Sequence, residues 1–248
     1  MKALHNKIAK TFFALEHVLT SPSLARQTLA SLYNEKIISC GKIPCIKIEE
    51  LIDTALEIRL INFVSEHGNV TSHELLCLCM MVQSFRPKQV LELGTFNGNT
   101  TLQIAANLVG EESITTLDLP VGNEPVNSND KYDAGLISSY VREQPRYLKS
   151  PYESKVKQIY ADSIEVDFAT LTSSSPDFIF IDAGHSDECV RNDTDKSLKV
   201  LAPGGTIVWH DYTQDWPDVF NFLNELAESL PLKHIFGTNL VVYQDSNI

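Results

Sequence analysis

Acidic and imidazole side chains stand where two predicted strands end. Asp182 ends a predicted strand over 177–182, and Asp211 ends another over 206–211. Because the carboxyl ends of parallel strands meet at one edge of a sheet, we expect both carboxylates beside a ligand crevice. Two convergent carboxylates suit a hard octahedral cation such as Mg²⁺. His210 is a candidate third metal ligand, and its imidazole would favour a softer ion such as Zn²⁺.

A glycine turn joins a strand to a helix earlier in the chain. The apolar run Gln89–Leu93 breaks at Gly94, passes Gly98 and continues into a helical pattern over 100–108. Glycines let the backbone approach a ligand where a Cβ would clash. The spacing lacks the G-x-G-x-x-G pyrophosphate fingerprint, so the turn favours a nucleoside without a pyrophosphate, S-adenosylmethionine above all. The alternative is an ordinary βα turn with two glycines.

A third acid follows the next predicted strand. Asp118 lies near the end of a strand over 113–119, 24 residues after Gly94. A carboxylate accepts two hydrogen bonds at once, which suits the vicinal hydroxyls of a ribose, and an acid at about this distance binds ribose in related nucleotide folds. The alternative role for Asp118 is to cap a loop or helix.

Strands and helices alternate from residue 87 onward. Besides Gln89–Leu93, strands are predicted at 113–119, 156–161, 177–182, 206–211, 234–236 and 240–243, and helices at 100–108, 133–142, 187–201 and 216–229. This alternation predicts a Rossmann-like α/β fold, with a doubly wound, mostly parallel seven-stranded sheet. The last two strands are joined by three residues, too few for a crossover, so they form an antiparallel C-terminal hairpin.

Residues 1–69 are predicted to be a helical N-terminal extension, and residues 70–248 the ligand-binding domain. Apolar stripes at 12–19 and 46–64 have helical spacing. A further helix over 72–84 follows Thr71 as its N-cap. The extension would cover the sheet as a cap, wall an acceptor pocket, or contact a second protomer in a homo-oligomer.

Composition excludes several classes of partner. A net charge of -12 over 248 residues, without a basic patch, argues against nucleic acid and anionic membranes. The five cysteines include no C-x-x-C pair and are expected to be reduced thiols of a cytoplasmic protein. Charged residues interrupt the first twenty positions, so neither a membrane helix nor a signal peptide is expected there.

Five blocks occur in the order typical of one enzyme family, each at a predicted strand end. They are Leu91-Glu92-Leu93-Gly94-x-x-x-Gly98, Leu117-Asp118, Tyr160-Ala161-Asp162-Ser163, Phe180-Ile181-Asp182-Ala183-Gly184-His185, and the run from Pro203 to Asp211. Through them, residues from about 70 to 245 resemble class I S-adenosylmethionine-dependent methyltransferases. More specifically, they resemble metal-dependent small-molecule O-methyltransferases of the catechol and macrolide-sugar types.

The resemblance implies a set of cofactor contacts. Gly94 and Gly98 would let the turn curl under the amino acid part of S-adenosylmethionine, and Glu92 would lie near the same part. Asp162 would accept the adenine amino group, with Ser163 beside it. Asp118 would bind the ribose, as its position after the strand already predicts. A buried acid that only receives backbone hydrogen bonds is the alternative for Glu92.

The resemblance also implies a catalytic arrangement. Relatives carry a catalytic Lys or His three residues beyond Asp182, which assigns His185 as general base. Their acidic metal ligands match Asp182 and Asp211. Two positions depart from the family pattern. His210 replaces an acid of the macrolide-sugar type, and Tyr212 replaces an Asn of the catechol type.

The predicted function is methyl transfer from S-adenosylmethionine to a hydroxyl of a small molecule, assisted by a divalent metal, a His base or both. One alternative is an NAD(P)-linked oxidoreductase, against which the missing third glycine argues. The other is a methyltransferase fold that serves only as an interaction module. Every expected site residue is present, which argues against a methyltransferase fold that has lost its activity.

Several residues outside the motifs receive weaker assignments. The loop 121–132 is either a lid or acceptor-site wall, or a plain surface loop. Tyr212 and Trp216 are candidates for the acceptor pocket, whereas Trp209, within a strand, is expected in the core. Asp193 and Asp195 are expected on a solvated helix face.

Overall fold

The structure, a computed structural model, describes residues 41–52, 55–64, 68–120 and 144–245. From Ile43 onward the described residues belong to one compact unit. The predicted helices at 12–19 and 133–142 and the loop 121–132 lie outside the described residues. Among the helices that are described, none has the length and apolar character needed to cross a bilayer.

The elements follow the predicted alternation. The strands are β1 (Cys45–Ile46), β2 (Gln89–Leu93), β3 (Ser113–Asp118), β4 (Val156–Tyr160), β5 (Phe178–Ile181), β6 (Thr206–Trp209), β7 (Lys233–Ile235) and β8 (Val241–Gln244). The helices are α1 (Ser72–Phe85), α2 (Asn99–Asn107), α3 (Asp187–Val200) and α4 (Pro217–Leu226). Each predicted strand and each described predicted helix from residue 72 onward is found within a few residues of its expected ends.

The strands form one sheet in the order β1-β7-β8-β6-β5-β2-β3-β4. Strand β8 runs antiparallel to β6 and β7, and every other neighbouring pair is parallel. The predicted doubly wound sheet with an antiparallel C-terminal hairpin is therefore confirmed. The order reverses at β2, which lies between β3 and β5, and open α/β sheets bind ligands at such a switch point.

The sheet contains an eighth strand that the apolar pattern did not predict. Strand β1 pairs in parallel with β7, and the amide of His234 donates to the Pro44 carbonyl at 2.8 Å. The long helix predicted over 46–64 is wrong in the described residues, which form β1, one turn of 3₁₀ helix at Ile48–Glu50 and an irregular segment. An edge strand offers unpaired backbone groups, and pairing with them outweighed the helical periodicity.

Alternate residues along the central strands fill two separate cores. On one face Phe180 and Val208 pack with α1 and α2 residues such as Leu78 and Ile104. The opposite face is lined by further strand residues, such as Ile179, which pack with Val190 of α3 and with α4. Since successive strand residues point to opposite faces, buried strands with helices on both sides become continuously apolar. Because apolar cores cover both faces of the central strands, polar functional side chains are expected at the strand ends.

The turn after β2 requires glycine at its first position. Gly94 has φ +94°, and its amide donates to the Leu117 carbonyl at 2.9 Å. A Cβ placed on Gly94 would lie 1.9 Å from the carbonyl oxygen of Asp182. The turn then reaches Gly98, which begins α2 with φ +73°. The backbone of the turn therefore packs directly on the end of β5.

We expect Gly94→Ala to lower the free energy of unfolding by at least about 3 kcal/mol, because the new methyl group would overlap a backbone carbonyl. Gly204→Ala is the matched control. Gly204 also has a positive φ, +74°, but an added Cβ would meet nothing within 4 Å. Its expected loss is about 1 kcal/mol, from the backbone conformation alone. Urea unfolding of both variants at one pH measures the difference, and equal losses would contradict the steric argument.

Candidate active site

The register of the sheet brings the predicted site residues to one edge. Leu93 is paired with both Leu117 and Ile181, and Ile181 is paired with Trp209. The strands β2, β3, β5 and β6 therefore end level with one another. The chain leaves this edge at Gly94, Asp118, Asp182 and His210.

Glu92 is fully buried on the core face shared with α2. Its Oε2 accepts hydrogen bonds from the hydroxyls of Thr101, at 2.5 Å, and Thr116, at 2.6 Å. Burial raises the pKa of Glu92 to about 8, although both hydroxyl bonds oppose the shift. The buried Oε1 has no hydrogen-bond partner within the described residues. The carboxyl group is therefore held by side chains rather than by backbone amides.

The predicted ribose and adenine acids are partly buried at the ends of β3 and β4. Asp118 accepts from the Leu119 amide at 2.8 Å, and Asp162 accepts from the Ile164 amide, also at 2.8 Å. Each carboxylate thus shapes its own loop through one oxygen. Contact of these acids with a nucleoside stays a prediction.

The loop after β4 is held by helix α3. Lys196 Nζ donates to the carbonyls of Ser163, Ile164 and Val166 at 2.6, 2.7 and 3.0 Å, and Asn192 also donates to the Ser163 carbonyl. Sequence reasoning missed both side chains, because a Lys and an Asn on a helix are ordinarily solvated.

Asp193, on the same helix, was predicted to be solvated, and that prediction is wrong. Its side chain is buried, and burial raises its pKa to about 6. Asn192 Nδ2 donates to Asp193 Oδ1 at 2.9 Å. This turn of α3 faces the loop rather than solvent.

His185 and Asp211 form a close pair. His185 Nε2 lies 2.7 Å from Asp211 Oδ2, and the exposed fractions of the two side chains are 13% and 14%. The His185 ring stacks on Trp216, with ring centroids 3.7 Å apart. Asp211 has φ +62°, a left-handed conformation that is rare outside glycine and that aims its side chain from the strand end. The predicted base is therefore fixed by a carboxylate and by an aromatic face.

His210 lies among three carboxylates. Its Nδ1 is 3.1 Å from both Asp182 Oδ1 and Asp211 Oδ2, and its Nε2 is 3.3 Å from Glu74 Oε2. Burial alone would lower the pKa of His210, but the charges of Asp211 and Asp182 outweigh it and raise the pKa well above the ordinary value. The pKa of Asp211 is lowered in turn, despite its burial, by His210 and His185.

Glu74 is a site residue that sequence reasoning missed. It lies in the first turn of α1 and is 2% exposed. Its carboxylate receives the amides of Thr71 and Asn239 at 2.8 and 2.7 Å. Burial favours a higher pKa, but the hydrogen bond and charge of His210 lower it to about 2. The Thr71-x-x-Glu74 spacing indicates a capping box, a signal that identifies a helix start and not a contact with β6.

The predicted metal ligands fit a divalent ion only in part. Donor atoms of Asp182, His185 and Asp211 all lie within 4.8 Å of one another. Two carboxylates and one imidazole suit a borderline divalent cation. His210 fits less well as the third ligand, because both of its ring nitrogens already face carboxylates. Its role as a metal ligand stays a prediction.

Of the three aromatic residues assigned to core or pocket, Tyr212 differs from its prediction. Trp209 is buried as predicted, and its Nε1 donates to Thr194 Oγ1 at 2.9 Å. Tyr212 is also buried, and its hydroxyl donates to Asn224 Oδ1 at 2.9 Å, so it belongs to the core rather than to a pocket. Trp216 remains partly exposed beside His185.

We expect the stability of the chain to fall as pH rises through the window set by Glu92. The unfolded carboxyl group releases its proton near pH 4.5, whereas the native group keeps it up to about pH 8. Across that window the Glu92 contribution to the free energy of unfolding decreases, with a slope on the order of 1.4 kcal/mol per pH unit. Glu92→Gln should remove this slope.

Urea unfolding of the cofactor-free chain at several pH values measures the slope. Glu111→Gln, at an exposed carboxylate, is the control for loss of an acidic group. Identical pH dependence in the native chain and in Glu92→Gln would contradict the assignment of a protonated native carboxyl group.

Comparison with known proteins agrees with this geometry. Residues 91–212 match the family model described as "Methyltransferase domain". Among solved structures, the O-methyltransferase TomG from Streptomyces achromogenes, in complex with SAM, aligns with a TM-score of 0.54 and 13% identity, over 75% of this chain and 93% of that one. A comparison with curated protein sequences finds no match.

Two further solved structures are similar in fold. A putative O-methyltransferase from Klebsiella pneumoniae has a TM-score of 0.54 and 17% identity, over 74% of this chain and 84% of that one. The O-methyltransferase from Bacillus cereus in complex with SAH has a TM-score of 0.51 and 16% identity, over 72% and 83%. The match identifies residues 91–212 as a methyltransferase domain, and the described residues have the fold of class I S-adenosylmethionine-dependent methyltransferases.

Proposed function

We propose that this methyltransferase transfers the methyl group of S-adenosylmethionine to a hydroxyl of a small molecule, with His185 as general base. The observation that carries the proposal is the 2.7 Å contact between His185 Nε2 and Asp211 Oδ2. This pair lies just after the carboxyl ends of β5 and β6. The solved structures that are similar in fold include three described as O-methyltransferases, which supports oxygen as the acceptor atom.

The His185–Asp211 pair suits proton removal from an acceptor hydroxyl. With Nε2–H donating to Asp211, the neutral ring carries its lone pair on Nδ1, and the carboxylate stabilises the imidazolium that forms. With S-adenosylmethionine bound, the acceptor O–H proton would pass to Nδ1, the acceptor oxygen would bond to the methyl carbon, and the carbon–sulfur bond would break to leave S-adenosylhomocysteine. Stacking on Trp216 keeps the ring in one orientation through this step.

The cofactor is assigned to the crevice beside β2, β3 and β4. Gly94 and Gly98 would pass under its amino acid part, with Glu92 nearby, and Asp118 would bind the ribose. Asp162 and Ser163 would bind the adenine. The level strand ends support this assignment, and the hold of Lys196 on the 163–166 backbone gives the adenine loop a defined shape. A cytoplasmic location and a role of residues 1–69 in an acceptor pocket or a contact between protomers belong to the same proposal.

A divalent metal is the second candidate for activating the hydroxyl. It is favoured by the three donor side chains of Asp182, His185 and Asp211, which lie within reach of one ion. When bound, such an ion would lower the pKa of an acceptor hydroxyl. Against this, the carboxylates of Asp182 and Asp211 already have imidazole partners at 3.1 and 2.7 Å. We therefore favour the base mechanism.

We expect His185→Gln to lower the rate of methyl transfer by about 10²–10⁴-fold, the usual contribution of a general base. Its dissociation constant for S-adenosylmethionine, measured by calorimetry, should change little, because His185 is assigned to the acceptor side. His73→Gln, at an exposed histidine on α1, is the control. Normal turnover by His185→Gln would overturn its role as base. Failure of the native chain to bind S-adenosylmethionine would overturn the proposed function as a whole.

We expect a chelator such as EDTA to leave turnover within about twofold, since chelation does not affect a histidine base. Asp211→Asn should nevertheless lose activity, because it removes the group that orients His185. The measurement is methyl transfer before and after chelation and after addition of Mg²⁺ or Mn²⁺. Loss on chelation with recovery on adding the ion would favour the metal mechanism instead.

A further inference from the structure

Helix α2 carries three buried carboxamides on one face. Asn99, Gln103 and Asn107 are four residues apart, so their side chains lie in a row along the helix, and all three are essentially fully buried. Buried amides are costly unless each donor and acceptor finds a partner. Their partners are therefore informative.

Each carboxamide pairs with the backbone of one residue in a segment that we call the strap, residues 55–64. Asn107 accepts from the Arg59 amide and donates to the Arg59 carbonyl, both at 2.8 Å. Gln103 does the same with Ile61 at 2.7 and 2.9 Å. Asn99 pairs likewise with Val64, at 3.0 and 3.2 Å. A primary amide is the side chain that can satisfy both groups of a backbone residue at once.

The spacing of the two rows explains why the match is possible. Four residues of helix advance about 6 Å, and two residues of extended chain advance about 6.7 Å. Arg59 and Ile61 are two residues apart and follow this rule. The next pair, Ile61 and Val64, is separated by three because Asn62 has φ +44° and interrupts the extended run. The recognition uses only backbone atoms of the strap.

The strap also contacts a segment that packs on the glycine turn. The Asn62 carbonyl accepts a hydrogen bond from the Arg146 guanidinium, and the Arg146 amide donates to the Asn97 carbonyl at 2.9 Å. Shortly after the strap, Gly68 lies against the ring of Phe96, where an added Cβ would be 3.0 Å away. The strap is therefore linked to the glycine turn through the 145–147 segment, and Gly68, which follows the strap, lies directly against the turn.

We propose that the three carboxamides lock the strap in place so that the glycine turn is held in the shape that binds S-adenosylmethionine. Asn99, Gln103 and Asn107 are positioning residues in this view, acting through the strap and not through contact with the cofactor. The inference rests on the proposed cofactor site. Because energetic coupling between two sites is reciprocal, bound cofactor must stabilise the strap as much as the strap stabilises bound cofactor.

Hydrogen exchange of the full-length chain, with and without S-adenosylhomocysteine, tests the coupling. In the native chain the amides of Arg59, Ile61 and Val64 should exchange slowly, and more slowly still with ligand bound. Gln103→Met removes the central pair but keeps the side-chain length. We expect faster exchange across the strap and a dissociation constant for S-adenosylmethionine raised by about tenfold, within the usual range of such coupling.

Glu57→Ala is the matched control, because it changes an exposed strap side chain that takes no part in the three pairs. It should leave exchange and binding as in the native chain. If Gln103→Met does not fold, Asn107→Leu makes the same test at the end of the row farthest from the turn. The inference would be overturned if amide exchange rates in the strap were the same with and without ligand. It would also be overturned if the variant bound S-adenosylmethionine as tightly as the native chain does. Absence of cofactor binding by the native chain would instead overturn the proposed function.

Discussion

The absent side chain of Gly94 allows the glycine turn to rest on the carbonyl oxygen of Asp182, and this contact sets the distance between the turn and the end of β5. Even one carbon atom at Gly94 would overlap that oxygen. The Asp182 amide donates in turn to the Leu93 carbonyl at 2.8 Å, so β2 and β5 remain paired to their last residues. The proposed cofactor-binding turn and the proposed catalytic strand end are thus neighbours by backbone contact, without any side chain between them.

Carboxylates at the ends of β5 and β6 are paired with imidazole groups of the protein. Asp182, Asp211 and Glu74 surround His210, and Asp211 also contacts His185. Charges removed from water are costly unless they are paired and hydrogen-bonded, and the backbone amides at Glu74 supply part of that requirement. This arrangement links α1 to the end of β6. It also explains why a histidine is compatible with a position at which the macrolide-sugar type has an acid.

Loops around the crevice are held by side chains of the helices behind them. Lys196 and Asn192 of α3 bind the backbone after β4, and the carboxamides of α2 bind the backbone of the strap. In both places a helical side chain recognises main-chain carbonyls or amides. Pairing within the sheet therefore fixes the strand ends. Hydrogen bonds from helix side chains fix the conformation of these two loop segments.

The sequence alone determined the order and type of the elements from residue 72 onward and the strand-end positions of Gly94, Asp118, Asp182 and Asp211. Periodicity, glycine and chain order are local signals, and they act over a few residues. Tertiary structure decided the rest. Strand β1 formed because β7 had an open edge, and Asp193 became buried because α3 faces the 163–166 loop. Glu74 contacts His210, and Gln103 contacts Ile61, 42 residues away, because packing of the folded chain brings them together. No local sequence pattern indicates either contact.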